Sequence, residues 1–166
     1  MNDLRMIAIP TKVAELVRST MKAPGYGYPA HREIASGYGP CRLCLKTFRE
    51  GEEERVLFTY DPFHDLAQYP LPGPVFIHAE PCARHEEHAG FPENLRTHPV
   101  TIVAYGAERM VVGKRYIRDG TVEEAAREFL TMRGRNICTS AIRRRVATIC
   151  GSSARDKHNY RFARSS

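Results

Sequence analysis

Apolar residues recur at helical spacing in two segments of the chain. Residues 11–22 (TKVAELVRSTMK) carry them every three or four positions, and Thr11 stands where a helix N-cap is expected. Residues 122–130 (VEEAAREFL) repeat the pattern, and Thr121 with Glu124 matches a capping box. The sequence therefore predicts two helices, one near each end of the chain.

Short apolar runs between these helices predict strands. Residues 41–48 (CRLCLKTF) and 55–60 (RVLFTY) flank a polar turn and predict a hairpin. Residues 75–79 (VFIHA) predict a third strand, and residues 100–105 (VTIVAY) with 109–117 (RMVVGKRYI) predict a second hairpin. Strands arranged in hairpins favour a mostly antiparallel sheet.

The remaining segments limit the fold to one class. Residues 5–10 (RMIAIP) predict a short strand or extended lead, and residues 23–40, dense in Gly, Pro and Tyr, predict a long loop. A chain of 166 residues has room for one moderate core. We predict a single α+β domain whose mostly antiparallel sheet is built from hairpins, with two helices.

The net charge of +6 is unevenly distributed along the chain. Residues 1–130 hold 16 Lys plus Arg against 18 Asp plus Glu, a net of −2, whereas residues 131–166 hold 9 against 1, a net of +8. The excess of basic charge thus lies only in residues 131–166, which argues against a nucleic-acid partner. Without an apolar run of membrane-spanning length or a signal-peptide pattern, we expect a cytoplasmic protein with no membrane partner.

The cysteines offer a metal site as an alternative reading. Five cysteines without an export signal point to free thiols or a metal rather than to disulfides. Cys41, Cys44, His78 and Cys82 could supply the four ligands of a zinc ion. In an extended strand, however, Cys41 and Cys44 point to opposite faces, and no Gly or Pro lies between them. We therefore favour no metal and predict no cofactor, with zinc kept as the alternative.

A catalytic cysteine is a second alternative. A nucleophilic thiolate needs a basic or cationic neighbour. Cys82 followed by nearby histidines, or Cys41 near His78 across the sheet, could provide such a pair, although no local motif supports either one. Whether the protein is an enzyme stays open, with Cys41, His78 and Cys82 as the candidate catalytic residues.

Several motifs in order carry a resemblance to a known family. The succession GPCRLCL, GEEERVLFTYDPF, YPLPGPVFIHAEPC, FPENLR and VAYGAERMVV resembles the DUF1203 family over residues 36–130. Cys41 and Arg42 match its P-C-R motif, and residues 73–76 match its G-P-I-F motif, whereas Cys44 does not belong to the pattern. The resemblance implies an uncharacterised bacterial protein of this length.

The resemblance also locates a candidate site. We expect it where the P-C-R segment meets the G-P-V-F-I-H strand, at Cys41 and Arg42 with His78 and Cys82 nearby. Arg42 would hold an anionic group with two parallel hydrogen bonds. The predicted function is a small-molecule or protein binding module; the alternative is a Cys/His-dependent enzyme or a zinc-binding protein.

The last 36 residues, 131–166, depart from the family. The resemblance implies a final hairpin with the motifs H-V-R-N and G-C, but the chain has a basic segment that we expect to be irregular or disordered. Codons displaced by one nucleotide permit EYMHVRNTASGCHDLRVERA, followed by a stop codon across Arg155 and Asp156. We interpret the tail as a product of out-of-frame translation.

Resequencing of the gene across codons 125 to 156 tests this interpretation. We expect one inserted or deleted nucleotide near codon 131, whose correction restores the H-V-R-N and G-C motifs. A confirmed reading frame would show instead that residues 131–166 are the natural end of this chain.

Overall fold

The computed structural model describes residues 4–62, 72–105, 110–131, 137–142 and 145–151. In these ranges the chain forms three helices and eight strands. They are, in order, β1 (Leu4–Ile7), α1 (Thr11–Thr20), β2 (His31–Ile34), β3 (Glu54–Tyr60), β4 (Gly73–His78), α2 (Glu93–Arg96), β5 (Val100–Tyr105), β6 (Val111–Ile117), α3 (Val122–Thr131), β7 (Ile137–Ile142) and β8 (Arg145–Gly151).

The strands form two antiparallel sheets. One has five strands in the order β1-β8-β7-β5-β6, and the other has three in the order β2-β3-β4. The prediction of an α+β fold with an antiparallel sheet built from hairpins is confirmed. The division into two sheets was not predicted.

The hairpin of β7 and β8 lies in the middle of the larger sheet. Strand β7 pairs with β5, and β8 pairs with β1. The structure thus differs from the expected irregular tail at residues 137–142 and 145–151, while residues 132–136, 143–144 and 152–166 lie outside the described residues. In the shifted frame, the motif YMHVRN would occupy the positions of β7. A strand here is compatible with either reading frame, so the out-of-frame interpretation stays a prediction.

Both predicted helices are present, with different caps. Helix α1 begins at Thr11 with Pro10 in the N-cap position, so Thr11 is the first helical residue rather than the cap. At α3 the Thr121 hydroxyl donates to Asp119 at 2.6 Å, which takes the place of the expected pairing with Glu124. The one-turn helix α2 was not predicted.

The first predicted hairpin is wrong. Strand β3 pairs with β2, from the segment predicted as a loop, and not with residues 41–48. Those residues contain a turn, and an isolated bridge pairs Pro40 with Thr47. Strands β3 and β4 pair in register from Arg55–His78 to Tyr60–Gly73, and the β5–β6 hairpin is confirmed.

Each sheet has its own hydrophobic core. The first core packs α3 residues such as Phe129 against β5 residues such as Ile102. The second core packs Val17 of α1 with Val56 of β3 and Ile77 of β4, and it contains Cys41 and Cys44. Burial of these side chains contributes about 1.5–3 kcal/mol for each large aliphatic residue.

The described helices are short compared with a membrane-spanning helix. The longest two have ten residues each, and none in the described ranges is long and apolar enough to cross a bilayer.

Candidate metal centre

Residues 41–45 form a tight turn that brings Cys41 and Cys44 to the same side. The Leu45 amide donates to the Cys41 carbonyl at 2.9 Å, and the Cys41 amide donates to the Lys46 carbonyl at 2.9 Å. Leu45 adopts a left-handed backbone conformation with φ 57°. For a residue other than glycine this conformation costs roughly 1–2 kcal/mol, so other contacts must hold it in place.

Three backbone hydrogen bonds hold the turn from different sides. The Arg42 amide donates to Phe76 on β4 at 2.7 Å, and the Arg42 carbonyl accepts from Ile9 at 3.0 Å. The Leu43 carbonyl accepts from His85 at 2.8 Å. Leu43 is fully buried in the second core, and Leu45 is buried in the first. The turn is therefore fixed by both cores at once.

The turn faces the end of β4, where two further donor atoms lie. Cys41, Cys44, His78 and Cys82 present three sulfurs and one ring nitrogen, all within 4.8 Å of one another. Cys41 Sγ lies 3.8 Å from Cys82 Sγ, and Cys44 Sγ lies 3.5 Å from His78 Nδ1. Cys41, Cys44 and Cys82 are free thiols.

Two of these distances, Cys41 Sγ to Cys82 Sγ and Cys44 Sγ to His78 Nδ1, match the edges of a zinc tetrahedron. With Zn–S bonds of about 2.3 Å and Zn–N bonds of about 2.05 Å, two sulfurs lie about 3.8 Å apart and a sulfur and nitrogen about 3.6 Å apart. The two measured contacts agree with these values. The donor set of three thiolates and one imidazole is one that structural zinc sites use.

The second nitrogen of His78 has a carboxylate beside it. His78 Nε2 lies 3.8 Å from Glu53 Oε2. Glu53 in turn accepts a 2.7 Å hydrogen bond from the Arg49 amide, which contributes most to lowering the pKa of Glu53. The ring of Phe48 packs on the imidazole at 4.5 Å between centroids. A carboxylate behind a metal-binding histidine fixes its tautomer and orientation.

Arg18 of α1 reaches the opposite side of the cluster. Its Nε donates to the His78 carbonyl at 3.1 Å, and its Nη2 donates to Cys82 Sγ at 3.6 Å. The His78 amide donates to Cys41 Sγ at 3.4 Å. Hydrogen bonds to sulfur favour the thiolate form that a metal requires.

The protonation of the four side chains is coupled. Burial alone would raise the pKa of Cys41, but hydrogen bonds with Cys44, Cys82 and His78 outweigh it and leave this pKa below the ordinary value. Hydrogen bonds to Cys41 and Cys82 raise the pKa of Cys44. The interaction with Cys41, followed by that with Cys82, raises the pKa of His78 to about 10. These shifts favour the charged forms of Cys41 and His78 and the neutral form of Cys44.

Arg42 is buried next to the cluster rather than displayed on the surface. It is 4% exposed, and its Nε and Nη1 have no hydrogen-bond partner among the described residues. Burial lowers the pKa of Arg42 to about 10, while attraction to Cys41 and Tyr60 opposes that shift. Any anion held by Arg42 would have to enter the protein interior.

The structure brings together all four residues of the alternative zinc site. The expectation that Cys41 and Cys44 point to opposite faces is wrong, because residues 41–45 turn instead of extending. The missed contributors are Glu53 and Arg18. Nothing in the spacing of Arg18 marks it, whereas Glu53 belongs to an acidic run that only the register of β3 and β4 places beside His78.

This fold and this site define a mixed α+β protein with a partly buried Cys3His cluster. The family model described as "Protein of unknown function (DUF1203)" matches residues 38–145, and the chain belongs to this family. The match extends 15 residues beyond position 130. No curated protein and no solved structure matches the chain.

The protonation states generate a prediction about metal binding. At pH 7 a metal must displace one proton from His78 and one from the Cys44 thiol, because it binds their deprotonated forms. We expect zinc binding to release at least about two protons per chain, and affinity to rise with pH. Calorimetric titration with zinc in buffers of different ionisation enthalpy measures the number of protons released.

His78→Gln provides the comparison, since glutamine has no proton to lose. This variant should bind zinc more weakly and release about one proton fewer. Zinc binding with no proton release in the unsubstituted protein would contradict the assignment.

Proposed function

We propose that the protein is a zinc-binding protein in which Cys41, Cys44, His78 and Cys82 hold one structural Zn²⁺. The observation that carries this proposal is the convergence of three sulfurs and one imidazole nitrogen within 4.8 Å. Zinc is favoured among metals because thiolate and imidazole donors in a tetrahedron match its preferences, whereas magnesium and calcium prefer oxygen.

The role of the metal follows from the number of its ligands. A catalytic zinc keeps one position for water or substrate, whereas four protein ligands leave none. Cys41 is fully buried, Cys44 is 7% exposed and the side chain of His78 is 14% exposed, so that among the four residues the half-buried Cys82 is the most open to small molecules. The ion would therefore join the turn at residues 41–45 to the end of β4 and to the segment that follows it.

The charges around the cluster support the same role. A Zn²⁺ with three thiolates and a neutral imidazole carries a net charge of about −1. Arg42, buried without a hydrogen-bonding carboxylate in any described contact, and Arg18, bonded to Cys82 Sγ, supply positive charge close to it. Compensation of this kind reduces the cost of burying the unpaired guanidinium of Arg42.

The other predicted functions have weaker support. A catalytic Cys41 would be a fully buried nucleophile. Cys44, at 3.5 Å, is the thiol next to the His78 ring nitrogen, and it too is buried. A binding module in which Arg42 holds a small anion would need access to a guanidinium that is 4% exposed. Zinc binding accounts for both groups of residues without requiring access.

Metal content tests the proposal directly. Protein purified under reducing conditions should contain about one zinc per chain, and cobalt substitution should give the visible absorption of a tetrahedral thiolate site. Cys44→Ser should lose most of the bound metal and lower the melting temperature. Removal of zinc from the unsubstituted protein by a chelator should lower it as well, because metal binding energy is folding energy.

Cys138→Ser is the matched control, since position 138 lies on β7 of the larger sheet, and it should keep the full metal content. Metal-free protein that takes up no zinc or cobalt, or equal loss of metal in both variants, would rule out the proposed site.

Glu53 gives a second test. Glu53→Gln removes the carboxylate charge 3.8 Å from His78 Nε2, and loss of such an outer partner typically weakens metal binding about 10–100-fold. Competition with a chromogenic chelator measures the affinity. Glu52→Gln is the control: Glu52 is largely exposed, 3.6 Å from Arg49, so its substitution should leave zinc affinity unchanged. Equal affinities for all three proteins would remove Glu53 from the centre.

A further inference from the structure

The four ligands of the cluster differ in exposure. Cys41 is fully buried and Cys44 nearly so, whereas Cys82 is half-buried and is the most accessible of the three thiols. Reactivity of thiols towards small oxidants follows exposure together with thiolate character. Arg18 Nη2 donates to Cys82 Sγ at 3.6 Å, and a metal binds cysteine in its deprotonated form.

Cys82 also lies in the least restrained part of the cluster. The Ala79 amide donates to Glu54 at 3.1 Å and the His85 amide donates to Leu43 at 2.8 Å. Between these anchors, residues 80–84 make no backbone–backbone hydrogen bond with any described residue. Arg84 holds this segment through its side chain, which donates to the carbonyls of Ala8 and Ile9. The backbone at Cys82 can therefore shift while both ends stay fixed.

The nearest described sulfur is in the rigid turn. Cys41 Sγ lies 3.8 Å from Cys82 Sγ, and a disulfide requires about 2.05 Å. To form the bond, the two sulfurs must approach by a little under 2 Å. Residues 80–84, which make no backbone–backbone hydrogen bond with any described residue, can shift by that distance. Cys41 is held by two backbone hydrogen bonds at the turn, so Cys82 is the residue that moves.

We propose that Cys82 is a site of oxidative modification, at which a peroxide attacks the cluster and the resulting Cys41–Cys82 disulfide releases the metal. This inference rests on the proposed zinc site, whose release would be its consequence. The oxidant class is hydrogen peroxide or a small organic hydroperoxide, because the sulfur is only partly accessible.

The reaction is balanced in two steps. The Cys82 thiolate attacks the hydroxyl oxygen of the peroxide; an S–O bond forms and the O–O bond breaks, with two electrons passing from sulfur to peroxide, and hydroxide leaves from hydrogen peroxide or alkoxide from an organic hydroperoxide. The Cys41 thiolate then attacks the oxidised sulfur; an S–S bond forms, the S–O bond breaks and hydroxide leaves. Zinc keeps its charge but loses two of four ligands, and the other two bind it too weakly to retain it.

The experiment begins with metal content and then adds hydrogen peroxide to the zinc-loaded full chain. A chromogenic chelator should record release of about one zinc per chain. Peptide mass spectrometry should find a Cys41–Cys82 linkage, and a sulfenic-acid reagent present during oxidation should label Cys82 ahead of Cys41 and Cys44. Dithiothreitol with added zinc should restore the starting metal content.

Cys138→Ser and Cys150→Ser are matched controls that should preserve both zinc release and the linkage. Labelling mainly at Cys44, a Cys41–Cys44 linkage, or zinc retained under peroxide that oxidises other thiols would overturn the proposal. If the purified protein never binds zinc, the proposed zinc site itself is wrong. This outcome differs from that of a zinc-loaded protein that resists oxidation, in which only the oxidation proposal is wrong.

Discussion

The left-handed backbone conformation of Leu45 is the constraint on which the site depends. It reverses the chain directly after Cys44, so that both cysteines face β4 while the Leu45 side chain enters the other core. Burial of Leu45 to 1% exposure offsets the conformational cost of a few kcal/mol at most. The same turn therefore joins the two sheets and aligns two of the four residues of the proposed zinc site, which makes this cluster part of the packing rather than an addition to it.

Two buried arginines, Arg42 and Arg55, differ in how their positive charge is compensated. A buried guanidinium without a carboxylate partner is costly, and most buried charges are paired. Arg42 breaks that rule among the described contacts, whereas Arg55 obeys it by binding Glu33 at 2.6 Å and stacking on Phe76 at 3.9 Å. The difference between the two arginines is explained if the negative charge beside Arg42 belongs to the cluster itself.

Much of the fold could be predicted from periodicity, but the site could not. The two longer helices and the β5–β6 hairpin follow from regular apolar spacing. The turn at residues 41–45 contains no glycine, and its apolar residues are equally typical of a strand. The turn could therefore be recognised only from its tertiary contacts. Strand β2 was missed because its four residues, HREI, are exposed or half-buried and show no apolar alternation. The sequence named the four residues of the alternative zinc site, and the structure brings their donor atoms within 4.8 Å of one another; metal binding there stays a prediction.

The position of the β7–β8 hairpin has a consequence for synthesis of the chain. Strand β1 has no described neighbour in the larger sheet except β8, which lies almost at the other end of the sequence. A ribosome releases the amino terminus first, so β1 must wait for nearly the whole chain before it can pair. The three-stranded sheet and all four ligands, by contrast, lie within residues 31–82 and can assemble while translation continues. The metal centre would then serve as an early fixed point, and the sheet that closes last would be the part most exposed to misfolding in the nascent protein.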